Sequence, residues 1–170
     1  VEGAKTYLRE AWRLRPHLSN SRNLLALGLT ELRLRLGTLC SDNEGSCDTT
    51  TADLLASVMG WAATGTDTLP ELELLVYAGL FQSQKRKENG RKIANEAYSL
   101  SEKLPPSRLI SRPDLAAGLI ALLEYVGLSK LHQEFSSRIA RAIDARAASI
   151  DDALLRNGYL TIPLIEHLST

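Results

Sequence analysis

Two cysteines, Cys40 and Cys47, stand in a polar stretch that also holds Asp42, Asn43, Glu44 and Gly45. A disulfide between them would close a short loop, contribute at most about 2–3 kcal/mol, and put the chain outside the reducing cytosol. The other reading is a pair of reduced thiols. No second cysteine pair and no nearby histidine completes a four-ligand metal set. Asp42 to Gly45 lacks the alternating ligand positions and the closing Glu of a calcium loop. His17, His132 and His167 are scattered along the chain. His132-Gln133-Glu134 opens like a zinc-deaminase signature, but no Pro-Cys-x-x-Cys follows. There is no glycine-rich phosphate loop, no G-x-S-x-G and no H-E-x-x-H. The residues therefore read as a non-enzyme with no metal and no cofactor. The competing reading is an all-α enzyme acting on glycans, which needs a carboxyl buried in a cleft. Glu124, in a strongly apolar segment, is its candidate.

Charge narrows the partners. Lys and Arg total 20 and Asp and Glu total 20, for a formal net charge of zero. Gripping nucleic acid or an anionic membrane as a main task needs a positive excess, so neither is expected. The dense basic cluster Lys85, Arg86, Lys87, Arg91 and Lys92 is offset by Glu88 and lacks interleaved aromatics for base stacking. It reads as a solvated helix end, where the dipole favours cations. No apolar run approaches the roughly 18 residues of a membrane span. The first residue is Val1 with no charged-then-apolar leader after it, so a processed product or a piece of a longer chain is expected. Arg outnumbers Lys 14 to 6, which together with the loop cysteines favours a periplasmic or other extracytoplasmic setting; the cytoplasm is the alternative.

The elements that must position any site are helices. Leu supplies 32 residues and Ala 19, against 12 for Val and Ile together. Unbranched side chains keep their freedom in a helix, whereas β-branched ones suit sheets. No segment alternates apolar and polar around a Val/Ile/Thr core. Apolar residues recur at helical spacing in Ala4, Leu8, Ala11 and Trp12, in Leu25, Leu29 and Leu32, and in Leu54, Leu55 and Val58. Leu72, Leu75, Val76 and Leu80 follow, then Ile93, Ala94, Ala97 and Tyr98, then Leu115, Leu119, Leu122 and Leu123, and then Leu131, Phe135, Ile139 and Ile143. Asn89-Gly90 predicts a turn, Ser111/Asp114 and Ser149/Asp152 predict capping boxes, Ser129 a cap, Gly127 a helix end and Asn157-Gly158 another. The helices pair as hairpins over about 20–64, 70–104, 113–147 and 150–168, in one domain. Either stacked hairpins or an irregular helical bundle can bury these faces.

One local pattern is more specific. Ala4, Leu8, Ala11 and Pro16 have the same spacing as Ala94, Tyr98, Ser101 and Pro106. Small residues let a helix approach its partner, the large one plugs the groove, and Pro ends the helix. This resembles the second helix of a tetratricopeptide repeat (TPR). Leu74 to Phe81, with Gly79, and Leu24 to Leu29, with Gly28, are similar to the first helix. The hairpin starts near 20, 70 and 113 depart from the family's interval of about 34 residues. The resemblance implies a right-handed superhelix of stacked antiparallel hairpins. It also implies a protein–protein interaction scaffold, with a peptide or subunit in a concave groove lined by Asn20, Asn23, Leu27 and Thr30. Glu73, Val76, Leu80, Ser83, Asp114, Ala117, Ala121 and Glu124 continue that groove. Asn side chains can hold a peptide backbone, and the acidic groups favour a basic partner. A homo-oligomerisation domain is the further alternative.

Overall fold

A computed structural model describes residues 2–13, 21–39, 49–62 and 68–169, and every regular element among them is a helix. In chain order these are α1 (Glu2–Arg13), α2 (Ser21–Leu39), α3 (Thr49–Ala62), α4 (Thr68–Lys85) and α5 (Lys87–Glu102). They are followed by α6 (Pro106–Ile110), α7 (Pro113–Tyr125), α8 (Ser129–Ala148), α9 (Ala153–Leu160) and α10 (Pro163–Ser169). The all-α class follows from the Leu/Ala-rich composition.

Neighbouring helices pair along the chain: α2 packs on α3, α4 on α5, α7 on α8, and α9 on α10. The first helices of successive pairs also meet, α2 on α4 and α4 on α7, whereas α7 meets the second helix of the last pair, α10. The preceding second helix closes the gap, with α3 on α4 and α5 on α7, and the second helices α8 and α10 pack together.

Helix α4 belongs to two hydrophobic cores at once. Leu72 and Val76, one turn apart, join Leu115, Leu119, Leu122, Phe135, Ile139 and Ile143. Leu74, Ala78 and Phe81 face Leu25, Leu29 and Leu32 of α2 and Leu55 and Val58 of α3. A helix with neighbours on both flanks must be apolar nearly all round, as the Leu-Glu-Leu-Leu-Val-Tyr-Ala-Gly-Leu-Phe run is. Gly28 and Gly79 sit where helices touch. A Cβ on Gly28 would fall 2.4 Å from Val58 Cγ2, and one on Gly79 would fall 2.5 Å from Leu122 Cδ2.

Several expected boundaries move, each for a local reason. The chain turns at Arg86 (φ −151°, ψ 117°), so Asn89 and Gly90 lie in the first turn of α5 instead of a loop, both donating to the Arg86 carbonyl. Gly90 is there for contact, because its Cβ would meet Ser83 Cβ at 2.4 Å and Ser83 Cα at 2.9 Å. The short helix α6 takes up residues expected to be a connection. Ser111 then closes α6 by donating to the Arg108 carbonyl at 2.7 Å and does not cap α7, whose N-cap Arg112 has no side-chain cap bond. Pro113 at the start of α7 needs no partner for its nitrogen. Ser129 is the first residue of α8 and not its cap. Asp152 does cap α9, accepting from the Leu155 amide at 2.9 Å, while Ser149 turns back to the Arg146 carbonyl. Asn157 and Gly158 lie inside α9. Gly127 ends α7 as expected, at φ 74°: its amide donates to the Glu124 carbonyl and that of Leu128 to the Leu123 carbonyl, a Schellman closure.

Candidate functional site

The strongest polar constellation lies where α4 meets the start of α7. Glu73 is 1% exposed, on a helix otherwise buried by apolar side chains. A buried carboxylate needs donors. Tyr77, one turn on, donates its hydroxyl to Glu73 Oε1 at 3.0 Å, and Arg112 Nη2 donates to Oε2 at 3.1 Å. Arg112 also forks Asp114, from Nε to Oδ1 at 3.1 Å and from Nη2 to Oδ2 at 2.9 Å. Arg112 and Asp114 flank Pro113, so the turn into α7 presents both. The hydrogen bonds that Arg112 donates to Asp114 raise its pKa most, burial opposes them, and the Glu73 charge adds to the rise. The guanidinium stays charged, and two carboxylates share it. With Glu73 held by two donors, the cluster suits fixing a face and attracting a positive group more than proton transfer.

The expected groove residues fall into three groups. Glu73 and Asp114 come together through Arg112. Asn23, Thr30, Ala121 and Glu124 are exposed, and Leu27, Leu80 and Ala117 are half-buried. Thr30 donates back to the Ala26 carbonyl at 2.8 Å. Val76 is 1% exposed in the core and Ser83 is buried under Gly90, so both are packing residues. The reason is the crowding of α4, which has α2, α3, α5 and α7 around it. Asn20, Cys40 and Cys47 lie outside the described residues. Glu124, the carboxylate considered for glycan chemistry, is exposed; among the described residues the buried one is Glu73. Tyr77 and Arg112 were not foreseen. Their only sequence signal is a Tyr four residues after a Glu and an Arg two residues before an Asp.

The basic cluster serves a helix end, and that end belongs to α7. Arg91 Nη2 donates to the Gly127 carbonyl at 3.2 Å, and Lys87 Nζ stands 5.4 Å from the Tyr125 ring centroid. Among the described residues no three His, Cys, Asp or Glu side chains gather as a metal site, and no helix is long and apolar enough to cross a membrane. No family model, no curated protein and no solved structure matches the chain.

Proposed function

We propose that the chain is a non-catalytic interaction module, a TPR-like superhelix whose first helices hold a peptide or subunit. The observation that carries this reading is the succession of the first helices α2, α4 and α7, each packed on the next. Such a row gives one continuous wall, and Asn23, Thr30, Ala121 and Glu124 are exposed along its helices. In the Glu73–Arg112–Asp114 cluster two carboxylates share a single guanidinium, an excess of negative charge that suits a partner with basic residues. An extracytoplasmic setting, within a bacterial envelope assembly, belongs to the same proposal and rests on the cysteines and the Arg excess.

Selection of a displayed random-peptide library on the purified chain tests it. Recovered peptides should be rich in Lys and Arg and should lose binding to the Ala121→Trp and Glu124→Lys variants. Failure to recover any peptide, or binding indifferent to both variants, overturns the reading.

A second reading, self-association, has its own observation. Helix α9 has no buried residue, with Leu154 81% and Leu155 66% exposed. Light scattering on a Leu154→Glu/Leu155→Glu variant tests it, since a dimer held by α9 would dissociate.

A further inference from the structure

A groove of about 620 Å³ runs between α6 and α8, and none of its lining residues belongs to α2, α4 or α7. Pro106 and Ile110 form one wall, with Ala142 and Ala145 opposite. The polar lining is almost wholly cationic: Arg138, Arg141 and Arg146 contribute, and no carboxylate does. Spacings of three and five residues keep the three arginines on one side of α8.

None of the three has a carboxylate oxygen within ion-pair distance among the described residues. Arg138 Nη2 donates to the Ser101 carbonyl at 3.1 Å and to its hydroxyl at 3.0 Å, and its guanidinium carbon lies 5.1 Å from the Phe135 ring centroid. Those neutral contacts fix a half-buried guanidinium in place without giving it a counter-charge. Arg141 Nε is turned to the Ser137 carbonyl at 3.1 Å. A positioned, partly desolvated cation beside an apolar wall gains more from an incoming anion than a fully hydrated one does.

We infer that this groove docks an acidic peptide segment of a partner protein, with carboxylates on Arg138, Arg141 and Arg146 and apolar side chains against Ile110 and Ala142. The planar guanidinium fork matches a carboxylate. The apolar wall gives intervening side chains a place, which a free phosphate would leave empty. No aromatic lines the groove for a base to stack on, and the zero formal charge gives the chain no general pull toward an anionic bilayer.

Fluorescence anisotropy of a labelled short peptide of Glu and Leu, with a Gln-and-Leu peptide as comparison, tests the inference. The Glu peptide should bind the intact chain and the Gln peptide should bind at least about tenfold more weakly. Arg141→Glu/Arg146→Glu, at exposed positions, should abolish binding with the helical circular dichroism unchanged. Ala142→Trp should abolish it by filling the groove, and Lys130→Glu, on the same helix outside the groove, should leave it intact. Equal binding of the two peptides, or full binding by the arginine double variant, overturns the inference. So does sedimentation with phosphatidylserine vesicles that needs Arg141 and Arg146 in a chain that ignores the peptide, because the groove would then serve a membrane.

Discussion

Arg112 Nη2 lies 3.1 Å from Oε2 of Glu73, which ties the turn before α7 to a carboxylate enclosed on α4, 39 residues earlier in the chain. Removing only the guanidinium strands a buried negative charge. Arg112→Ala should cost about 3 kcal/mol, the low end of the range for such pairs, because the Arg112 side chain is 30% exposed and water partly replaces it. Adding Glu73→Gln should recover much of that loss by removing the stranded charge. Urea denaturation of the two single variants and the double variant measures the coupling, and additive losses would show that the two groups are independent.

The helix contacts predict opposite outcomes for the same substitution at two glycines. Alanine is the better helix former by up to about 1 kcal/mol. At Gly158 in α9 nothing lies within 4 Å of an added Cβ, so Gly158→Ala should raise the melting temperature. At Gly90 the added atom meets Ser83 backbone at 2.9 Å, and α5 must move off α4. Gly90→Ala should lose about 1–3 kcal/mol net, as overpacked interiors do. Thermal melts of both variants against the parent chain decide this.

Alkaline pH should weaken the contact between α5 and α8. Burial raises the pKa of the Tyr98 hydroxyl above its ordinary value of 10.0; Glu102 and Glu134 add to the rise, and Arg138 opposes it. That hydroxyl donates to Glu134 Oε2 at 3.2 Å, and the ring meets Phe135 edge-on at 6.5 Å. The folded chain therefore holds this proton more tightly than the unfolded chain. The associated stability is complete below about pH 10 and is lost as the pH climbs through the raised value. Urea midpoints measured from about pH 9 upward should fall less steeply in Tyr98→Phe. Some slope should persist there, because burial also raises Tyr159.

The fold class and most helix centres were legible because Leu and Ala recur at helical spacing in every segment. Phe135, Ile139 and Ile143 were expected to share a stripe on α8, and all three are buried. Helix ends were less legible, because a residue with turn chemistry can be used for packing. Gly90 carries a turn signal, but its missing Cβ is spent on the approach of α5 to α4. The site was legible only in part. Glu73 and Asp114 could be named from groove spacing, but nothing local says that Arg112 would bring them together across α4 and α7. Val76 and Ser83 share that spacing and are buried, since burial depends on what surrounds α4. The α8 arginines were missed because charges spread over nine residues form no run in the sequence; only the helix gathers them onto one side.

Helix α4 is a party wall, and a shortened chain makes the consequence concrete. A fragment beginning at Thr68 keeps Leu72 and Val76 inside the larger core but lays bare Leu74, Ala78 and Phe81, which α2 and α3 cover in the longer chain. Such a fragment would carry a greasy strip down its leading edge, and its solubility would depend on finding a substitute neighbour there.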